Sequence, residues 1–191
     1  MASLMIHLVI ADKYCKLNNI EDSFGFISGS IAPDILNNKD SSHYVEGLSE
    51  PKTYIDAILG RVGLVKFCRV NAFDGDYVKG YFMHLLTDYI FYEQYLTKLK
   101  KYKLLEIGDY NYVRNIIYDE FDRLNDYLTT KYSYIDTEIL PPQARKVTKL
   151  LPDIIMPEDV EKVMDYCASL DLEKVYKSIK NNDLKIINCS L

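Results

Sequence analysis

The sequence predicts an all-α protein, a single-domain multi-helix bundle with a metal site in a cleft between its helices. Three observations carry that expectation. Apolar residues recur at helical spacing through most of the chain, as at Val113, Ile116, Ile117, Phe121, Leu124 and Leu128. The 191 residues, 48% of them hydrophobic, suffice for one core and include neither an internal repeat nor a linker long enough to separate domains. The three histidines fall beside apolar or turn-forming residues, and one of them has a carboxylate one helical turn away.

Composition narrows the classes of function. The net charge of -5 and pI near 5.2 argue against binding duplex nucleic acid, which needs a basic footprint. A small single-stranded or phosphodiester substrate stays open, because a metal supplies positive charge locally. There are 17 tyrosines and no tryptophan. A buried tyrosine needs a partner for its hydroxyl, so many should line the edge of the core or a cleft. Cys15, Cys68, Cys167 and Cys189 form no C-x-x-C pair and read as reduced, mostly buried small hydrophobes. The apolar run over 4–11 lacks a basic flank and a cleavage site, and no stretch approaches the roughly 20 apolar residues of a spanning helix. The expectation is a soluble cytoplasmic protein with no transmembrane segment. No pattern in the sequence speaks to oligomeric state.

The elements follow in order. Ser3 suits the N-cap of a first helix over 4–17, with Ile6, Val9, Ile10 and Leu17 inward and Asn18-Asn19 as its stop. His7 lies near that stripe and reads as a core histidine or as a ligand. Residues 24–35 place two glycines, two serines and a proline among apolar residues, which predicts a short buried turn that brings the backbone close to something, rather than a long helix or strand. Asp34, inside it, must be paired or metal-bound, or else caps the next turn. Residues 37–51 are polar and aperiodic, a loop that carries His43.

A helix is predicted over 52–73, with Ile55, Ile58, Leu59, Val62, Val65 and Val70 inward. Gly60 and Gly63 weaken it or admit a close neighbour. The central helix opens at Asp74 or Asp76 and runs to about 99, with Lys98, Lys100, Lys101 and Lys103 as a solvated end. Another helix spans 109–129, with Asp119, Asp122 and Asp126 as a solvated acidic stripe. Pro141-Pro142 break the chain before a short helix over 143–151. Pro157 starts a helix to 170, Asp171 caps a last helix to 181, and 184–188 read as a short strand.

The stretch Gly80-Tyr-Phe-Met-His84-Leu-Leu-Thr-Asp88 organises the rest. His84 and Asp88 stand four apart, on one helix face, while Phe82, Leu86 and Ile90 read as core. We expect His7, Asp34, His43, His84 and Asp88 to converge on one metal site. Neutral imidazole with carboxylate is a donor set for zinc, and also for iron, nickel or manganese. Five candidates exceed one open site and suit two metals sharing Asp88.

In sequence order, a histidine in the first helix, Gly29-Ser-Ile-Ala-Pro-Asp34, Ser42-His43 and Gly80-x-x-x-His84-x-x-x-Asp88 resemble the zinc-dependent phospholipase C family. Its wider superfamily includes the fungal single-strand-specific nucleases. The resemblance covers about 6–95. It implies an all-α fold, one zinc held by Asp34, His43, His84 and Asp88, and a second metal held by His7 with Asp88 as the bridge. Secreted members also use the free amine of a processed N-terminal Trp, together with further histidines and a Glu. This chain has no Trp and no histidine after His84, so one or two ions are implied, not three. The function implied is a metal-dependent hydrolase of a phosphoester, phospholipase C-like or phosphodiesterase-like, acting through a metal-activated water with Asp34 as the catalytic carboxylate. The alternative is a non-catalytic all-α protein with a structural or vestigial metal site. A His-Asp nucleotide phosphohydrolase needs an adjacent doublet, and no histidine here is followed by Asp.

Overall fold

The computed structural model describes residues 2–36, 38–45, 62–101, 110–135 and 156–181. Among these residues there are eight helices and no strand, so the all-α expectation holds. None of the helices is long and apolar enough to cross a membrane.

Helix α1 (Leu4–Asn18) begins where its cap predicts. Ser3 Oγ accepts the Ile6 N–H at 3.3 Å, and Asn19, in the left-handed region at φ 49°, ends it. Leu17 is not inward, at 65% exposed, because burial along α1 stops after its first three turns. The predicted buried turn over 24–35 is instead a helix, α2 (Ser23–Ile35). Its N-cap, Asp22, accepts the Gly25 N–H at 2.8 Å, and Pro33 sits in its last turn, where the helix is already ending.

Local propensity argues against a helix here, by about 1 kcal/mol for each glycine. Tertiary contact overrides it, because α2 lies against the central helix α5 (Asp76–Lys101) at backbone-to-backbone range. A Cβ on Gly29 would lie 2.0 Å from the Tyr77 carbonyl oxygen, and one on Gly80 would lie 1.9 Å from that of Phe26. Asp76 ties the two helix starts together, its carboxylate accepting the Asp22 N–H at 3.1 Å.

Inside the predicted loop sits a single turn, α3 (Lys39–Ser42), capped by Asn38, whose side chain accepts the Ser41 N–H at 3.1 Å. Asp34 therefore does not cap it. Of the helix predicted over 52–73, residues 52–61 lie outside the described residues. Val62 and Gly63 are not helical, so the described portion is only α4 (Leu64–Val70). Its buried stripe is Leu64, Phe67 and Cys68, and Val70, two residues past Cys68 and so on the opposite side, is 65% exposed.

The second half follows its sequence pattern closely. In α6 (Tyr110–Lys131) all six predicted apolar residues are buried. Asp126 of the acidic stripe is exposed, while Asp119 and Asp122 are half-buried. Pro157 opens α7 (Pro157–Ala168), and Asp171 caps α8 (Leu172–Lys180) by accepting the Lys174 N–H at 3.0 Å. The helix predicted over 143–151, the strand over 184–188 and the side chains of the basic cluster near 100 lie outside the described residues.

Cys68 and Cys167 are buried, and burial pushes the Cys68 thiol up to about 12. The buried Tyr176 hydroxyl donates toward the carbonyls of Asn71 at 2.6 Å and Cys68 at 3.0 Å, as a core tyrosine must.

Gly80→Ala should force α2 and α5 apart. We expect a loss of at least 1–3 kcal/mol, roughly the penalty of overpacking, read as a lower urea midpoint. An unchanged midpoint would show that the crossing is not constrained by this contact.

Candidate metal centre

The α2–α5 contact fixes one half of the centre. His84 is fully buried on α5, and its Nδ1 lies 2.7 Å from the Ser30 carbonyl oxygen of α2. A carbonyl only accepts, so Nδ1 carries a proton, and in the neutral ring Nε2 presents a lone pair.

His43, directly after α3, is set the same way. Its Nδ1 lies 2.9 Å from the Lys39 carbonyl oxygen. Ser42 Oγ, 3.1 Å from that nitrogen, has the Pro33 carbonyl as its own acceptor at 2.8 Å. His43 Nδ1 therefore donates to Lys39, which in the neutral ring leaves the Nε2 lone pair available. The two Nε2 atoms face each other at 3.2 Å.

Asp88 closes the group. Its Oδ2 stands 3.4 Å from His43 Nε2 and 3.6 Å from His84 Nε2, and it is buried without a hydrogen bond. Three potential ligand atoms thus share one buried point. Ligand atoms about 2.0–2.1 Å from a tetrahedral zinc are about 3.4 Å apart, and the three separations of 3.2, 3.4 and 3.6 Å fit that spacing. These buried histidine and aspartate groups could hold a metal ion.

Asp34 lies at the edge, with Oδ1 3.8 Å from His43 Nε2 and 3.3 Å from the Lys39 ammonium. Its side chain is 12% exposed, against at most 2% for the other four.

His7 is not a satisfied core histidine. It is buried, its ring stacks on His84 with centroids 3.7 Å apart, and neither ring nitrogen has a hydrogen-bond partner. Its Nε2 lies 3.3 Å from Asp88 Oδ1, close but out of line for a hydrogen bond. Asp88 therefore turns one oxygen to His43 and His84 and the other to His7. All five predicted residues come together. His43, His84 and Asp88 form one group with ligand atoms within 4.8 Å of one another, and His7, Asp34 and His84 form a second.

Electrostatics follow from burial and contact. Burial pushes the Asp88 carboxyl up, but the three imidazoles against it outweigh burial and hold it well below the usual carboxylate range. Burial opposes charge on His84 as well, yet Asp88 holds its pKa above the ordinary histidine value. His7 is lowered, by burial first and by the stacked His84 second.

Sequence reasoning missed the groups behind these side chains. The Ala2 backbone N–H donates to Asp88 Oδ1 at 2.6 Å. Tyr81, one turn before His84, donates its hydroxyl to the Ser42 carbonyl at 2.5 Å. The Gly63 N–H donates to the His43 carbonyl at 2.9 Å. Tyr44 is held at φ 55°, rare for an aromatic residue, between these anchors. Only Ser42, adjacent to His43, and Ser30, inside the Gly-Ser-Ile-Ala-Pro-Asp run, carried a sequence signal.

Removing one nitrogen ligand from such a group should greatly weaken metal binding. We expect His43→Ala and His84→Ala each to lose most bound metal. His7→Ala should keep a first ion and lose a second, weaker one. Metal per chain and melting temperature on the same samples check this. Full occupancy in either of the first two variants removes that residue from the centre. Unchanged stoichiometry with a lowered melting temperature removes His7.

No family model, curated protein or solved structure matches this chain, so the chemistry of the centre rests on its own residues.

Proposed function

We propose that the protein is a metal-dependent hydrolase of phosphoesters with zinc as its resident ion. The observation that carries this is the pair of Nε2 atoms at 3.2 Å, each on a ring whose Nδ1 faces a backbone carbonyl, beside an Asp88 Oδ2 with no hydrogen bond. Buried lone pairs at this range repel unless a cation lies between them. His43, His84, Asp88 and Asp34 would hold the first ion, and His7 with Asp88 a second. Imidazole and carboxylate donors suit zinc, and iron, nickel or manganese accept the same set. The resemblance to the zinc-dependent phospholipase C family supports the same residues and a phospholipid-like or other small phosphoester substrate. Buried thiols suit a cytoplasmic setting.

The metal supplies Lewis acidity, which acidifies water and polarises a phosphoryl oxygen. The chain's own residues do the rest. Ser30 and Lys39 hold the two imidazoles in the ligating tautomer through their carbonyls. Asp34, the most exposed of the five, meets solvent at the mouth with a carboxylate oxygen to spare. It orients the attacking water and accepts its proton as the water adds to phosphorus and the ester oxygen leaves.

One observation favours the competing reading, a structural metal in a non-catalytic protein: four of the five side chains are at most 2% exposed. In that case chelation would unfold the domain and there would be no turnover to lose.

A phosphodiesterase panel, bis-p-nitrophenyl phosphate and a lecithin analogue with and without EDTA, separates the readings. We expect EDTA-sensitive turnover that zinc restores. Asp34→Asn, assayed at saturating zinc, should cut kcat about a hundredfold or more, the usual loss for a general base. A zinc-loaded protein with no turnover that unfolds in EDTA would establish the structural reading instead.

A further inference from the structure

Lys39 meets the centre twice. Its carbonyl accepts from His43 Nδ1 at 2.9 Å, which fixes its backbone to a ligand. Its side chain turns back to Asp34 Oδ1 at 3.3 Å, and Asp34 stands 3.8 Å from His43 Nε2. The ammonium is therefore tethered beside the ligand atoms, yet the side chain stays 55% exposed. As a stabilising device the pair is weak, because an exposed ion pair contributes about 0–1 kcal/mol.

Charge at the mouth points to another use. Asp34 and Asp88 together carry two negative charges, which a divalent ion beside neutral imidazoles cancels. With the first ion alone in place the Lys39 ammonium is a surplus positive charge at the solvent-facing edge, and a second ion would only add to that surplus. An ammonium has three donors and no acceptor, and the Asp34 contact uses one of them.

We propose that Lys39 is the anion-binding residue of this site. It donates to a non-bridging oxygen of the bound phosphoester, so the substrates are phosphoesters that carry a negative charge on phosphorus. This rests on the hydrolase reading above. On substrate binding the ammonium shares or leaves Asp34 and engages the phosphoryl oxygen, and the Asp34 carboxylate is left free to face water. Because the Lys39 backbone is fixed to His43, the phosphoryl group is drawn to the side of the centre where Asp34 lies.

The test uses the zinc-loaded full chain with Lys39→Gln and Lys39→Arg. Inorganic phosphate is titrated by calorimetry, which needs no turnover, and metal per chain is measured on the same samples. Lys39→Gln should keep its zinc and weaken phosphate binding about tenfold, the size of one lost charge-assisted hydrogen bond. With bis-p-nitrophenyl phosphate, KM should rise by a similar factor while kcat changes little, and Lys39→Arg should stay near wild type. Unchanged phosphate affinity in a zinc-loaded Lys39→Gln overturns the proposal. So does loss of zinc from that variant, which would make Lys39 a support for Asp34 alone. A wild-type chain that takes up no zinc would overturn the hydrolase reading as well, and the metal analysis separates that failure from the others.

Discussion

The close crossing of α2 and α5, with Gly29 against Tyr77 and Gly80 against Phe26, sets the position of almost everything at the centre. With Cβ atoms at these positions, each would lie about an atomic radius from a carbonyl oxygen of the other helix, at 2.0 and 1.9 Å. Without them the two backbones approach closely enough for the Ser30 carbonyl to reach His84 Nδ1 at 2.7 Å. One helix thereby chooses the tautomer of a histidine on the other. The same approach brings the end of α2, with Pro33 and Asp34, over α3, where the Pro33 carbonyl takes the Ser42 hydroxyl at 2.8 Å. His84 and His43 are thus held by backbone carbonyls, which cannot swing away as side chains do.

That arrangement has a cost in a chain without a cation. A buried polar atom left without a partner costs about 1–3 kcal/mol. Asp88 Oδ2 and both nitrogens of His7 are in that position. His84 can relieve some of it by holding a proton against Asp88, the direction in which its pKa is raised. His7, stacked on His84 and lowered by burial, cannot do the same at once. A metal ion would satisfy Asp88 Oδ2 together with the two Nε2 atoms beside it, where one proton satisfies only a fraction. The anchors around His43, from Lys39, Tyr81 and Gly63, hold Tyr44 in a strained backbone conformation, as is common beside functional groups.

How much of this was legible in the sequence depends on the kind of interaction. Helices that end on local chemistry were readable: Ser3 and Asp171 as caps, Pro157 as a first residue, and the apolar period of α6. Helix α2 was not, because its glycines, serines and proline are poor locally and are justified only by a neighbouring helix about 50 residues away along the chain. The composition did suggest close backbone approach there, but as a turn. The five ligand candidates were readable because their residue types are rare or costly in apolar surroundings. What holds them was not, because backbone carbonyls, the Ala2 N–H and the Tyr81 hydroxyl leave no mark in a sequence. Leu17 was misplaced because burial along α1 ends before its last turn, and Val70 because it lies on the side of α4 away from Cys68.

The central claim is that His43, His84 and Asp88 share a metal ion through nitrogen and oxygen atoms. X-ray absorption on the zinc-loaded chain reads that directly. The account predicts zinc bound with nitrogen and oxygen neighbours at about 2.0–2.1 Å and no sulfur. A chain that retains no zinc, or zinc with sulfur neighbours at about 2.3 Å, would contradict it.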